Sequence, residues 1–362
     1  MKKFFLLAAM VGVALTGCMK NEVYVPKSDT PISFEVANYV AQTRASGEFS
    51  TTETFGVNAW SRDAAASSSV QMMTNEVVSH SGDKWTTATT YYWPINGTVD
   101  FIAYYPTSVV PEIDYDYNGA DTYTYEDYEV ETVADGVDLM YADKAIRFSA
   151  NNTAADNGTE LGYDGAYGFE GVPTLFRHAL AKVNFKVKNG KSTDGVYSYD
   201  IKVNSITLSV YNQGSVTLNN NGTTTAASRG TWNLPTNNVW TPTAGSSKVE
   251  LTWTDSSITL SDDTAVDYAT RTQYVLPQTL TTGDQKIKVN YTVTQYQTIS
   301  GTKTEISEQT YEPIVDLRSD ALPRWEMNKN ITYTISLSSI GTQILFAPAV
   351  EEWEPASGLV EF

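Results

Sequence analysis

The sequence predicts an all-β protein, and three observations lead to that fold class. Apolar and polar residues alternate with a period of two over several segments, as in Ile287–Val293 and Ile331–Leu337. Thr, Tyr and Val, which favour half-buried pleated surfaces, recur in these segments. Long segments with helical periodicity are scarce. Together these features predict β-sandwiches with long loops.

The composition limits the functions that the chain can serve. It has 362 residues, 41% of them hydrophobic, which is enough for a sizeable core. There are 24 Lys and Arg residues against 42 Asp and Glu residues, and the net charge of −18 argues against nucleic acid binding and docking to anionic lipid. One Cys excludes an intrachain disulfide, and only two His are present. We therefore expect no enzyme, no catalytic residues, no cofactor and no metal site.

Residues 1–17 have the pattern of a lipoprotein signal peptide. Lys2 and Lys3 precede the apolar run Phe4–Leu15, which is shorter than the roughly 20 residues of a membrane-spanning helix. The run leads to Gly17-Cys18, where small residues before the only Cys form a lipobox. We expect export, cleavage before Cys18 and acylation of Cys18, so that acyl chains anchor the protein to the membrane. An ordinary signal peptide followed by an unmodified Cys is the less favoured alternative.

Residues 18–44 combine a strand with a candidate processing site. Ile32, Phe34, Val36 and Val40 share one parity, which predicts a strand over Ile32–Val40. The polar segment that follows contains Arg44, and an arginine in such a loop is accessible to an arginine-specific protease. Taken alone, this arginine is better explained as part of an ordinary turn.

The remaining chain is predicted to contain two β-sandwich domains, residues 45–172 and 173–362. The boundary near Gly171–Pro173 follows a stretch rich in Gly, Asn and Asp and precedes a new run of alternating strands. A short helix is expected over Asp138–Ala142. Further strands are predicted at Val183–Val187, Ile206–Val210 and Val249–Trp253.

Several polar residues allow a functional and a structural interpretation. His178 is a candidate ligand or base, but a buried structural histidine is favoured. His80 lies in a Ser- and Gly-rich segment and is expected to be solvated. The acidic stretch Asp114–Asp121 invites a calcium site, although it lacks the spacing of an EF-hand loop, and a solvated loop is favoured.

The aromatic residues also leave two interpretations open. Eight Trp and 23 Tyr are compatible with carbohydrate-stacking platforms or with the cores of sandwiches. One group of tyrosines is interleaved with acidic residues, and we hypothesise that it forms an exposed adhesive or lateral-contact patch. The group consists of Tyr115, Tyr117, Tyr123, Tyr125 and Tyr128.

Five segments, in order and across nearly the whole chain, resemble the fimbrillin-like proteins of type V pili, which include the Mfa-like subunits. The segments are Thr43–Ala45 after the lipobox and the first strand, Phe55–Trp60, Tyr92–Pro94 followed by Asp100–Pro106, Leu175–Val183, and Tyr333–Leu337 leading to Val350–Trp353.

This resemblance implies two transthyretin-like β-sandwich domains and a mechanism of assembly. Family subunits reach the outer membrane as lipoproteins, and an arginine-specific protease then removes an N-terminal strand. The C-terminal segment of a neighbouring subunit fills the opened groove as a donor strand. By this resemblance, Cys18 is the lipidation site, Arg44 precedes the cut, Ala45 is the mature N-terminus, and Ile32–Val40 is the displaced strand.

The resemblance also implies the partners and the location. The partners are other pilus subunits, the protease, the lipid on Cys18 and a ligand on a host or bacterial surface, with no nucleic acid. The protein would move from the outer membrane to a cell-surface fimbrium as an adhesive subunit. A lipoprotein that stays anchored and binds glycans, or the pilus anchor subunit, are the alternatives. The candidate donor residues are Ile344, Phe346, Trp353, Leu359, Val360 and Phe362, with Pro348 and Pro355 interrupting the alternation.

Overall fold

A computed structural model describes most of the chain between Lys27 and Glu352. The described residues are 27–36, 49–63, 68–116, 120–132, 136–149, 171–190, 193–220, 228–255, 257–337 and 345–352. They form strands and one short 3-10 turn, Thr236–Asn238, so the predicted all-β fold class is confirmed. No helix among these residues is long and apolar enough to cross a membrane.

The strands before residue 180 are mostly short, and the last two lie at the predicted domain boundary. They are β1 Lys27–Pro31, β2 Phe34–Val36, β3 Thr54–Asp63, β4 Val70–Ser81, β5 Lys84–Thr87, β6 Tyr92–Pro94, β7 Gly97–Tyr105, β8 Glu112–Asp114, β9 Asp121–Glu129, β10 Met140–Ala142, β11 Lys144–Phe148, β12 Val172–Thr174 and β13 Phe176–His178.

The strands after residue 180 include the longest ones. They are β14 Ala181–Asn189, β15 Thr193–Asp194, β16 Tyr197–Val210, β17 Gln213–Asn220, β18 Ser228–Gly230, β19 Thr241–Pro242, β20 Val249–Trp253, β21 Thr259–Leu260, β22 Val266–Val275, β23 Lys286–Ile299, β24 Thr302–Tyr311, β25 Ile314–Asp316, β26 Lys329–Leu337 and β27 Leu345–Glu352.

The largest sheet has the order β12-β2-β5-β4-β3-β7-β10-β13, with β11 also paired to β7 and β18 paired to β11. Its two ends, β12 and β13, are separated in sequence only by Leu175. Side chains from both ends enter one cluster, so the sheet wraps around it. We call this cluster the N-terminal core. It contains Ile32, Phe34, Val36, Phe55, Val57, Ala59, Met73, Val78, Trp85, Trp93, Val99, Phe101, Ala103, Ala142, Ala145, Phe148, Val172 and Phe176.

The opposite face of the same sheet packs on a four-stranded sheet of order β19-β17-β9-β8. Strand β3 serves both faces, because Phe55, Val57 and Ala59 enter the N-terminal core while Trp60 points to the other side. We call the cluster on that side the middle core. It contains Trp60, Ile102, Tyr104, Tyr123, Tyr125, Val130, Leu139, Tyr141, Ala179, Leu180, Val216, Leu218, Trp232, Trp240, Leu276 and Met327.

Two further sheets enclose the C-terminal core, with orders β22-β14-β26-β27 and β15-β16-β23-β24. Strands β20, β21 and β25 pair with the second of these sheets. Residues of alternating parity fill this core, including Val183, Phe185 and Val187 on β14 and Tyr333 on β26. The strands predicted from alternation at 183–187, 206–210, 249–253, 287–293 and 331–337 are confirmed.

Strand pairing crosses the predicted boundary after residue 172. Strand β13 pairs with β10, β18 pairs with β11, and β17 pairs with β9, so later strands complete sheets that begin earlier in the chain. The two-domain division at 172/173 stays a prediction.

The predicted helix over Asp138–Ala142 is wrong. Met140–Ala142 forms β10, which pairs with β7 and β13. Leu139 and Tyr141 are buried in the middle core, whereas Ala142 is buried in the N-terminal core. A strand buried on both faces lacks the alternation of polarity that identifies a half-buried strand.

Candidate functional site: the groove around the first strands

Strand β2 fills a groove in the N-terminal core. Ile32, Phe34 and Val36 share one parity and are 4%, 1% and 6% exposed, as the sequence pattern predicts. The predicted single strand Ile32–Val40 is divided, however, because β1 ends at Pro31 and β2 begins at Phe34. Residues 37–40 lie outside the described part of the chain.

The backbone of β2 lies between two other strands. It runs parallel to β12, with Val172 opposite Phe34, and antiparallel to β5, with Trp85 opposite Phe34. The N–H of Val172 donates to the carbonyl of Ser33 at 2.8 Å, and the N–H of Ile32 donates to the carbonyl of Tyr91 at 2.8 Å. Removing β2 would leave polar groups of β5 and β12 without these strand partners, which is the condition that favours pairing with another chain.

Aromatic rings surround Phe34 at the centre of the groove. Its ring meets Phe55 and Phe101 edge to face, with centroids 5.9 and 5.6 Å apart. Phe176 from β13 lies 5.3 Å from Phe55 and stacks on Phe49 at 4.8 Å. Edge-to-face and stacked contacts add to the stabilisation from burial. The pocket is therefore shaped for one large apolar side chain.

Strand β1 precedes β2 and makes a second short pairing. It is antiparallel to β6, with Lys27 opposite Pro94 and Pro31 opposite Tyr92. Trp93, at the centre of β6, is 1% exposed and contacts Phe101 at 5.7 Å. The segment Tyr92–Pro94 thus forms one wall of the groove.

The C-terminal strand β27 lies at a sheet edge in another part of the molecule. It pairs with β26 from Lys329 opposite Glu352 to Ser336 opposite Leu345. Pro348 lies opposite Tyr333, and proline is tolerated at an edge because it lacks a backbone donor. Val350 is 46% exposed. This strand is thus paired along one side and has exposed side chains.

Most of the site residues predicted from the sequence lie outside the described part of the chain. This applies to Cys18, Arg44, Ala45, Ile344, Trp353, Leu359, Val360 and Phe362. Only the backbone of Phe346 is described, in β27 opposite Ile335. Their predicted roles stay predictions.

His178 is buried, as predicted, and it lies at the end of β13. Its Nδ1 contacts the carboxylate of Asp138, which joins β13 to the segment before β10. His80 is not in a solvated loop. It lies on β4, is half-buried, and meets the Trp85 ring at 5.1 Å.

The hypothesis of an exposed tyrosine patch is wrong for the described tyrosines. Tyr123 and Tyr125 are 0% and 3% exposed in the middle core, where β9 packs against β7. Tyr115 stacks on Trp60 at 4.3 Å. Burial raises the pKa of Tyr125 well above its usual range and that of Tyr128 to about 12. The alternation of acids and tyrosines reflects a half-buried strand, and Tyr117 lies outside the described residues.

The tryptophans give no glycan-stacking platform in the described part of the chain. Trp353 is not described, and the other seven are buried. Within the described residues, no three His, Cys, Asp or Glu side chains are grouped as metal ligands.

Sequence reasoning missed a buried polar cluster in the acidic stretch. Asp121 does not face solvent but contacts the Lys144 side chain, with Asp100 beside it. Two local signals could have indicated it. Asp100 stands within the apolar run Val99–Tyr105, and Lys144 stands between Ala142 and Ile146.

A family model and solved structures match most of this chain. A family model described as fimbrillin-like matches residues 43–353. A crystal structure of a fimbrial protein from Bacteroides vulgatus matches at 20% identity and a TM-score of 0.58, covering 89% of this chain and 99% of that one. The tip fimbrial protein Mfa3 from Porphyromonas gingivalis matches at 8% identity and a TM-score of 0.40, covering 90% and 99%. No curated protein sequence matches the chain.

Proposed function

Because this chain belongs to the fimbrillin-like family, we propose that it is a subunit of a cell-surface pilus that polymerises by strand exchange. In this proposal the protein is exported as a lipoprotein on Cys18 and cleaved after Arg44. Loss of β1 and β2 opens the groove, and the C-terminal segment of a neighbouring subunit fills it.

The burial of β2 is the observation that carries this proposal. Three apolar side chains from a strand of three residues and its flank occupy the N-terminal core. The segment with Arg44 connects this strand to the rest of the chain. The family match begins at residue 43, so the shared part of the chain leaves out β1 and β2.

The proposed donor is the segment that contains β27 and the residues after it. A strand from another chain satisfies both the backbone groups and the apolar pockets of an open groove. Since donor and groove lie on different sheets, the proposed contact joins unlike surfaces of two subunits. Such a head-to-tail contact extends into a fibre when it does not close into a ring. The candidate side chains are Ile344, Phe346, Trp353, Leu359, Val360 and Phe362.

N-terminal sequencing and intact mass of protein sheared from the cell surface test the proposal. We expect high-molecular-weight material that starts at Ala45, and we expect Arg44→Ala to abolish both the new start and the polymer. Arg318→Ala is the matched control, because Arg318 lies outside the strands, just after β25, and its side chain is 37% exposed.

Monomeric protein that starts at lipidated Cys18 would contradict the polymerising subunit. It would leave the anchored alternatives, a glycan-binding lipoprotein or the anchor of the pilus. A polymer that forms unchanged with Arg44→Ala would reject cleavage at this arginine as the trigger.

A further inference from the structure

A buried polar cluster joins two sheets across the middle core. We define it as Asp100 on β7, Tyr115, Asp121 at the start of β9 and Lys144 at the start of β11. The Lys144 side chain is 4% exposed, and the carboxylates of Asp100 and Asp121 are 5% and 3% exposed. The Lys144 Nζ lies 2.5 Å from Asp121 Oδ2 and 3.2 Å from Asp100 Oδ2.

The charges of this cluster are unbalanced for a buried ion pair. Two carboxylates face one ammonium, and burying such charges carries a desolvation penalty that their attraction does not always repay. Burial raises the pKa of Asp121 even though Lys144 and two hydrogen bonds oppose the shift. Burial of Asp121 therefore disfavours its charged form relative to that of an exposed aspartate.

Hydrogen bonds hold both carboxyl groups in fixed positions. Asp121 Oδ1 accepts the N–H of Asp116 at 2.9 Å, which leaves Oδ2 toward the lysine. Asp100 accepts the N–H of Arg147 at 2.7 Å and the hydroxyl of Tyr115 at 2.9 Å. A backbone N–H on Oδ1 is placed to stabilise negative charge that develops there when a nucleophile attacks the carboxyl carbon.

Aromatic rings cover the amine. The ring centroid of Tyr115 lies 4.7 Å from Lys144 Nζ, and the same ring stacks on Trp60 at 4.3 Å. Such a cover limits access of water. Amide formation expels one water molecule, so a site with little water opposes the reverse hydrolysis.

From this geometry we propose that Lys144 and Asp121 condense to an intramolecular isopeptide bond, with Asp100 as the proton carrier. Asp100 takes a proton from the Lys144 ammonium, and the neutral amine attacks Cγ of the protonated Asp121. The C–N bond forms, Asp100 returns the proton to the departing hydroxyl, and the C–O bond breaks as water leaves. Asp100 then takes the second proton from the nitrogen. An ammonium, a neutral carboxylic acid and the Asp100 carboxylate thus become one amide, one water and a protonated Asp100, with no oxidant or co-reactant.

The bond would fasten β11 of the ten-stranded sheet to β9 of the four-stranded sheet. These residues are 23 positions apart in sequence, and a covalent link over such a loop restricts the unfolded chain as a disulfide does. The chain has one Cys and no disulfide of its own, so this bond would supply a permanent crosslink.

Peptide mapping of the denatured wild-type protein tests the proposal directly. Without the bond, trypsin cuts after Lys144 and releases residues 85–144. With the bond, Lys144 is not cleaved, and the product is residues 85–147, lighter than its sequence by one water molecule. A second digestion at Glu126, Glu129 and Glu131 leaves the pieces that carry Asp121 and Lys144 joined.

Variants and an internal control identify the chemistry. We expect Asp121→Ala and Asp100→Asn to restore cleavage after Lys144 and the full sequence mass. The Lys248–Asp284 pair is the matched control, since Lys248 Nζ is also 2.5 Å from its carboxylate but the two side chains are 30% and 32% exposed. Trypsin should therefore cut after Lys248 in the same sample.

The wild-type result alone decides the matter, whether or not the variants fold. Release of residues 85–144 at full mass, with separate fragments after digestion at glutamate, would overturn the proposal. A wild-type bond that persists in Asp100→Asn would retain the link but reject Asp100 as the proton carrier. Because the bond lies within one subunit, these results are independent of polymerisation.

Discussion

The N-terminal and C-terminal cores both contain a parallel pair of strands, but they differ in the length of the pair. In the C-terminal core, β26 has nine residues and runs beside β14 from Asn330 to Leu337. In the N-terminal core, β2 has three residues and runs beside β12 from Phe34 to Val36. The same arrangement is thus built once with a long strand and once with a short one.

The difference separates a strand that pairs along most of its nine residues from one that has only three residues to pair. Strand β26 is held along its length by four fully buried side chains, those of Ile331, Tyr333, Ile335 and Leu337. A short strand such as β2 makes few backbone bonds and relies on a few apolar side chains. In the proposed mechanism, this short strand is the one that is removed, and an apolar segment replaces it.

Removal of residues 1–44 should have the largest effect on stability, and it should destabilise the N-terminal core while leaving the C-terminal core intact. The N-terminal core loses Ile32, Phe34 and Val36, and each buried side chain of this kind contributes about 1.5–3 kcal/mol. Hydrogen exchange should become fast in β5 and β12 while β14 and β26 stay protected. A peptide of residues 27–40 should restore protection. Equal loss of protection in β14 and β26 would contradict a role of β2 confined to the N-terminal core.

Phe34→Ala in the uncleaved protein should be the next largest change. Truncating a buried phenylalanine lowers the free energy of unfolding by about 3–5 kcal/mol, because a cavity remains among Phe55, Phe101 and their neighbours. Urea unfolding measures this change.

The matched variant is Phe185→Ala in the C-terminal core, where Phe185 meets Trp253 at 4.8 Å. It should lower stability by a similar amount before and after cleavage, since it lies outside the removed segment. If Phe34→Ala proves harmless, then β2 is not a structural part of the groove.

Alkaline pH should lower the folding stability of the cores that contain buried tyrosines. Burial raises the pKa of Tyr104 in the middle core and of Tyr291 in the C-terminal core from 10.0 to about 12. Between these values the unfolded chain releases protons that the folded chain retains, so stability is unaffected below pH 10 and falls as pH rises toward 12. Tyr104→Phe should reduce this fall, and Tyr92→Phe, at an exposed position, is the control. Phenolate absorbance followed during unfolding at several pH values measures this loss of stability. An unchanged pH profile in Tyr104→Phe would contradict the role given to Tyr104.

Val350→Ser should have the smallest effect. Val350 lies on the edge strand β27 and is 46% exposed, so the change in stability should stay within about 0.5 kcal/mol. The variant for comparison is Val36→Ser, which places a hydroxyl in the N-terminal core. It should lower the free energy of unfolding several times more than Val350→Ser does. Thermal unfolding of the uncleaved protein compares the two. A larger loss from Val350→Ser would mean that β27 is fixed to its own subunit.

Much of the fold could be predicted from the sequence, because half-buried strands carry their signature locally. Val183–Val187 and Ile331–Leu337 alternate strictly, and both are strands with the predicted face inward. The inward parity of Ile32, Phe34 and Val36 was equally readable. The family resemblance indicated a fimbrillin-like protein, and the family match confirms that membership.

Other features depended on contacts that no short segment specifies. Strand β10 is covered on both faces by residues distant in sequence, so its side chains do not alternate between apolar and polar. The hydrophobic pattern of the segment was therefore mistaken for that of a short helix. Tyr123 and Tyr125 have acidic neighbours along the chain, but β17 and β7 cover them. The Asp100–Asp121–Lys144 cluster needs three strands from two sheets to come together.

Strand β3 contributes side chains to both the N-terminal core and the middle core. Its odd-numbered residues 55, 57 and 59 line the groove, while Trp60 packs on Tyr115 at the opposite face. Groove and middle core therefore share one backbone. In a variant whose other tryptophans are replaced, the fluorescence of Trp60 would test whether filling the groove changes the packing on the opposite face.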